Sequence, residues 1–150
     1  PFLAVNAQTN SANLGFNLVT RWPRADYVCI DAPEARLAVA EKYGDLDIIA
    51  SRELPGRMDV ERITITHGNF GCVTWTSGSG LPAFTTTVVD TMGAGDAFLA
   101  ITAPLVAAGG SPESVSFAGN AAGAIKVGIV GHRSFVDRVG LRKYVKTILH

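Results

Sequence analysis

The apolar run Tyr27-Val28-Cys29-Ile30 places the strongest limit on what this chain can fold into. It is too short and too β-branched or aromatic for a surface helix, and it lacks the polar alternation of a half-solvated strand. A strand with apolar residues on both faces must lie inside a layered fold. A second such run, Phe2-Leu3-Ala4-Val5, opens the chain and is followed by the polar loop Asn6-Ala7-Gln8-Thr9-Asn10. Helical spacing of Leu14, Leu18 and Val19 predicts a helix over 11–22, stopped by Pro23. Another helix is expected from Asp31-Ala32-Pro33-Glu34 to about Tyr43, closed by Gly44.

Further on, the pattern predicts a short strand over 47–51 and a clearer one over 62–66. The turn Asn69-Phe70-Gly71 leads to a hairpin partner over 72–76. Ser77-Gly78-Ser79-Gly80 reads as a loop and 84–89 as one more strand. Three helical stretches close the chain, over 94–108, 113–127 and 139–149. The last is amphipathic, with Leu141, Tyr144, Val145 and Ile148 inward and Arg142, Lys143 and Lys146 outward. Trp22 and Trp75 read as packing aromatics. Strands alternating with helices define an α/β layered domain with a largely parallel sheet.

Composition narrows the function. The 150 residues are 47% hydrophobic and 17% charged, with 13 Lys+Arg against 13 Asp+Glu. That apolar content excludes a disordered chain, and the even charge argues against a general nucleic-acid binder or a polybasic membrane anchor. The length fits one domain spanning 1–150. Cys29 and Cys72, both inside apolar runs, read as buried reduced thiols. With no signal peptide and no apolar run of membrane-spanning length, the expectation is a soluble, cytoplasmic protein without a nucleic-acid or membrane partner.

The chemistry is concentrated in Asp90-Thr91-Met92-Gly93-Ala94-Gly95-Asp96-Ala97-Phe98. Glycines between a β-rich run and a long helix let a ligand approach the backbone closely. The free N–H groups at the helix start form an anion site. Asp96 falls in the first turn beside that site, where the helix dipole favours an ionised carboxylate placed to accept a proton from an attacking hydroxyl. Glycine at a strand–helix turn and Asp in a first turn are also ordinary structural choices. A P-loop is excluded because no Gly-Lys-Ser/Thr follows, and a dinucleotide fingerprint because Phe98 stands where a small residue is needed.

This stretch resembles the D-T-x-G-A-G-D-x-F signature of the PfkB, or ribokinase-like, carbohydrate kinases. The resemblance extends from the strand at Phe2 to the last helix. It implies a ribokinase-like α/β/α fold and transfer of the γ-phosphoryl of ATP to a sugar or sugar-phosphate hydroxyl. Gly93, Ala94 and Gly95 match the family's anion hole and Asp96 its catalytic base. Asp31-Ala32-Pro33-Glu34 is similar to the family's N-x-x-E, linked to Mg²⁺ and phosphate. Glu34 matches, while Asp31 exchanges a neutral amide for a charge. The same residues also spell a helix capping box.

Thr66-His67-Gly68-Asn69-Phe70-Gly71 is similar to T-x-G-x-x-G, whose backbone lines the nucleotide pocket through Thr66, Gly68 and Gly71. It is also a plain glycine hairpin, with His67 as a turn residue. Asn120 and Gly123, in Phe117-Ala118-Gly119-Asn120-Ala121-Ala122-Gly123, resemble the helix near the adenine, although small residues also serve helix packing. Lys126-Val127-Gly128 and His132-Arg133-Ser134 are solvated charges, or by resemblance contribute to a phosphate or monovalent-cation site.

Local wording around 120–128 looks most like the branch near heptose-phosphate kinases. The resemblance further implies that the chain is the incomplete, C-terminal, nucleotide-handling half of such a kinase. Self-association as a homo-oligomer, or pairing with an N-terminal half, is therefore expected. The competing reading is a non-catalytic nucleotide-binding or interaction module of the same fold.

Overall fold

The computed structural model describes residues 1–76, 79–81, 94–127 and 135–149. Five strands form one sheet in the order β1 (Ala4–Val5), β2 (Arg24–Asp31), β3 (Asp59–Thr66), β4 (Cys72–Thr76) and β5 (Ser79–Leu81). β1, β2 and β3 run parallel, while β4 and β5 return antiparallel. Register pairs Val5 with Val28, Val28 with Ile63, and Ile65 with Val73. Helices cover the sheet as the α/β pattern requires, and the parallel strands keep their carboxyl ends together.

The continuous apolar run of β2 is explained by its two buried faces. Val28 and Ile30 join Ile63, Ile65 and the residues of α1 (Ala32–Val39) in one core. Tyr27 and Cys29 point the other way, into a cluster with Cys72 and Phe98. Phe98 belongs to α3 (Ala94–Ala107), which packs with α4 (Pro112–Val127) over that face. α5 (Arg138–Ile148) lies against α4, with Leu141, Tyr144 and Val145 half-buried and Arg142, Lys143 and Lys146 exposed. No helix among the described residues is long and apolar enough to cross a membrane.

The layer between the sheet and α3/α4 carries hydroxyls as well as hydrocarbon. Thr64 and Thr74, cross-strand neighbours, share a hydrogen bond of 3.0 Å, and Thr74 meets Ser116 of α4 at 2.7 Å. Buried hydroxyls need such partners, since leaving one unpaired in a low-dielectric layer costs about 1–3 kcal/mol. Gly119 on α4 faces α3 so closely that a Cβ there would stand 2.5 Å from the Phe98 ring. That position must lack a side chain for the two helices to meet.

Five local expectations are corrected. Residues 11–22 form turns and a short 3₁₀ segment, Val19–Arg21, in place of a helix. Asn10 there accepts from the N–H groups of Ala12 and Asn13, and Gly15 takes φ +81°. Leu14 and Phe16 stay exposed, so a helix would have buried only Val19. α1 stops at Val39 because Ala40 adopts a left-handed φ of 61°, and Glu41, Lys42 and Tyr43 beyond it would bury nothing.

Residues 47–51 are helical and not a strand. α2 (Leu46–Ile48) continues into a wider π-type turn, Ile49–Glu53. The buried residues Leu46, Ile49, Ala50 and Leu54 have helical spacing, and Asp45 caps the start. Ser79 and Gly80 stand in β5, opposite Thr76 and Trp75, where a loop was expected. Trp75 packs against the core, but Trp22 is 49% exposed and is not a packing residue. The strand expected over 84–89 lies outside the described residues.

Candidate active site

The carboxyl ends of the three parallel strands and the start of α3 enclose one cleft of ≈ 430 Å³. Open α/β sheets bind ligands outside the carboxyl ends of their strands, because helix N-termini and loops converge there. The loop after β1 gives Asn6, Ala7 and Gln8; β2 gives Cys29, Ile30 and Asp31; α1 gives Glu34; and β3 gives Thr66. Gly95 and Asp96 supply the opposite wall. The structure therefore brings together five residues that the sequence singled out from three separate motifs.

Asp31 and Glu34 form the capping box that their spacing allows. Asp31 Oδ1 accepts from the Glu34 N–H at 2.7 Å, and Glu34 Oε2 accepts from the Asp31 N–H at 3.1 Å. Glu34 Oε1 also accepts from the Thr9 N–H at 2.9 Å, which joins the loop after β1 to α1. Partial burial raises the Glu34 carboxyl above the usual range. The N–H donors of Asp31 and Thr9 oppose that rise, and the neighbouring Asp31 charge adds to it. A structural cap and a cleft carboxylate are here the same side chain.

Ala94 begins α3, and Gly95 and Asp96 lie exposed in its first turn. A Cβ added at Gly95 would meet no atom within 4 Å. The space beside Gly95 thus opens into the cleft, where the N–H groups of a helix start attract anions. Gly93 lies outside the described residues.

Thr66 ends β3 and directs its hydroxyl to the Ile30 carbonyl at 3.5 Å. The 3₁₀ turn Gly68–Phe70 follows, with Gly68 at φ +51° and Gly71 at φ +82°, backbone that L residues rarely adopt. His67 closes this turn through its N–H to the Gly71 carbonyl at 2.7 Å and packs on Phe70 with ring centroids 5.0 Å apart. Only Thr66 of this motif lines the cleft.

Asn120 and Gly123 do not line that cleft. The Asn120 amide donates to Cys72 Sγ at 3.4 Å beneath the β3–β4 hairpin, and Gly123 has open space at its Cβ position. Asn6 and Gln8 were not singled out from the sequence as site residues. The signal was their place just after a buried strand, where an α/β cleft recruits its loops. Among the described residues no group of three or more His, Cys, Asp or Glu is placed to hold a metal ion alone.

This strand-end cleft is faced by a glycine-bearing helix start and by the carboxylates of Asp31, Glu34 and Asp96. The chain belongs to the pfkB family of carbohydrate kinases, whose model matches residues 16–137. It is 33% identical over 117 residues to a 2-dehydro-3-deoxygalactonokinase from Haloferax volcanii, covering 77% of this chain and 36% of that protein. Phosphofructokinase-2 from Escherichia coli, solved with potassium, superimposes with a TM-score of 0.78 at 17% identity, over 98% of this chain and 47% of that one. A ribokinase from Thermotoga maritima gives a TM-score of 0.68 at 24% identity, over 81% and 42%. The chain thus spans less than half the length of these relatives. The ribokinase-like fold is the one they share.

Proposed function

We propose that the protein carrying this chain transfers the γ-phosphoryl group of ATP to a hydroxyl of a sugar, sugar acid or sugar phosphate. In this reading the chain is the C-terminal portion that holds the phosphates and the catalytic base. The observation that carries it is the meeting of Gly95 and Asp96 with Asp31, Glu34 and Thr66 around one cleft.

In this reading the acceptor oxygen attacks Pγ, its proton passes to the Asp96 carboxylate, and the bond from Pγ to the bridging oxygen of ADP breaks. A loose transition state asks little of the base beyond correct placement. N–H groups at the start of α3, including that of Gly95, stabilise the charge on the transferred group without reorganising. Thr66 and the turn after it border the nucleotide. Asn120 keeps its amide on Cys72 and acts in packing α4 against the hairpin, apart from nucleotide contact.

The donor set fits Mg²⁺, which takes one or two carboxylates and completes its shell with phosphate oxygens and water. Asp31 and Glu34 would hold it, since each Glu34 oxygen accepts one N–H and keeps acceptor capacity for a cation or its water. When bound, the ion would neutralise phosphate charge. A monovalent cation is a further ligand in this reading, as in the potassium-bound relative.

Calorimetric titration of Mg·ATP, followed by turnover with ribose, fructose 6-phosphate and 2-dehydro-3-deoxygalactonate, tests the reading. One saturable nucleotide site and turnover of one acceptor are expected. Binding with no turnover of any sugar, sugar acid or sugar phosphate in a wider panel would favour a non-catalytic nucleotide-binding module.

A further inference from the structure

Beneath the cleft, β2 and α3 are joined by a buried hydrogen-bond chain that the proposed chemistry does not itself use. Tyr27 of β2 and Thr102 of α3 are both fully enclosed. The Tyr27 hydroxyl donates to Thr102 Oγ1 at 3.0 Å, and Thr102 Oγ1 donates to the Phe98 carbonyl at 2.9 Å. Thr102 has one hydroxyl proton, so its bond to Phe98 fixes the direction of the whole chain. The chain ends in the first turns of the helix whose start carries Gly95 and Asp96.

The location matters more than the strength. Tyr27 lies on the strand that terminates in Asp31, and Thr102 stands about 9 Å along the helix axis from Asp96. Around the bond, Tyr27, Cys29, Cys72 and Phe98 pack with the partly buried Leu99, Ala103 and Val106. Such apolar contacts tolerate a small slide of a helix on a sheet. A buried hydroxyl pair does not, because a slide would take the Tyr27 hydroxyl off its Thr102 acceptor in a low-dielectric layer, while Thr102 keeps its bond to Phe98 within α3.

We propose that the Tyr27–Thr102 hydrogen bond is a positioning element that sets the axial register of α3 on β2, and with it the reach of Asp96 across the cleft. This rests on the reading of Asp96 as the base. Tyr27 and Thr102 touch no reactant in it; they act through α3.

The test uses the protein that carries this chain, with Mg·ATP and the acceptor found to turn over, in the variants Tyr27→Phe, Thr102→Val, Thr102→Ser and Asp96→Asn. A misplacement of 1 Å costs up to about 100-fold in rate, so Tyr27→Phe is expected to lower kcat about tenfold. KM and the calorimetric Kd for Mg·ATP should stay within about twofold, since phosphate binding depends on N–H groups the variant keeps. Thr102→Ser, which retains the hydroxyl, should restore near-normal kcat. A wild-type kcat in Tyr27→Phe, with turnover lowered by about 100-fold or more in Asp96→Asn, overturns the positioning role alone.

Full turnover in Asp96→Asn overturns the base assignment and this inference with it. A fall in Mg·ATP affinity that matches the fall in kcat also overturns it, as general loosening of the site. Should Thr102→Val fail to fold, Tyr27→Phe still decides, because it removes a single oxygen. Hydrogen exchange supplies a readout independent of turnover. Faster exchange is expected at the 95–99 amides of Tyr27→Phe with α4 unchanged, and equal exchange there overturns the proposal.

Discussion

Glu34 accepts a hydrogen bond from the backbone of Thr9, twenty-five residues earlier, while also closing the capping box with Asp31. One carboxylate therefore ties the loop after β1 to the start of α1 and forms part of the cleft wall.

Glu34 makes stability depend on pH in a defined direction. Its folded pKa is raised above the ordinary 4.5, so the folded state holds the proton more tightly than the unfolded state. The favourable contribution is complete below the unfolded pKa and disappears as pH rises through the folded one. Relative to Glu34→Gln, the wild type should lose stability between pH 4 and neutral. Urea midpoints of both proteins across that interval check the sign.

Asp96→Asn should leave Mg·ATP affinity near normal and lower turnover by about 10²–10⁴, the usual worth of a positioned acid or base. The side chain is exposed in the first turn of α3, so thermal stability should change little. Kinetics beside calorimetry on the same preparation separate the two effects.

Two glycines on neighbouring helices should respond in opposite ways. Gly119→Ala places a Cβ 2.5 Å from the Phe98 ring and should cost about 1–3 kcal/mol of stability through overpacking. Gly95→Val meets no protein atom within 4 Å of its Cβ, and should fold while losing nucleotide affinity by filling the cleft. Denaturation and nucleotide titration of both variants test this contrast.

Neither thiol should react in the folded protein. Burial pushes the Cys29 thiol up to about 12 and raises that of Cys72, and the thiolate is the reactive form. Iodoacetamide at pH 8 should modify neither residue natively and both in urea, as read by intact mass. Rapid native labelling would show that the sheet and α3 separate readily.

The layered fold was legible because β2 carries apolar residues with no polar alternation, a pattern that only two covered faces explain. Residues that meet at the cleft were legible where motifs have unusual spacing, as in Gly95-Asp96 and Asp31-Ala32-Pro33-Glu34. Segments in which local spacing competes with tertiary burial were read less well. Leu14, Leu18 and Val19 have a helical interval, yet only Val19 finds a core to enter. Tyr27 and Thr102 lie far apart in sequence, and nothing local marks their hydroxyls as partners. The bond from the Asn120 amide to Cys72, forty-eight residues away, likewise could not be read from one dimension.

The reversal of direction between β3 and β4 has a kinetic consequence. That pair is joined by the short turn 67–71, whereas β1, β2 and β3 are linked by the long crossovers 6–23 and 32–58. Local hairpins close in microseconds, and non-local parallel pairing must first overcome the entropy of loop closure. The cleft is made from the ends of the slow pairs, so nucleotide binding should be the last property to appear on refolding. In stopped-flow refolding, a Trp75 signal should precede competence to bind a fluorescent ATP analogue, and simultaneous recovery would show the whole sheet closing in one step.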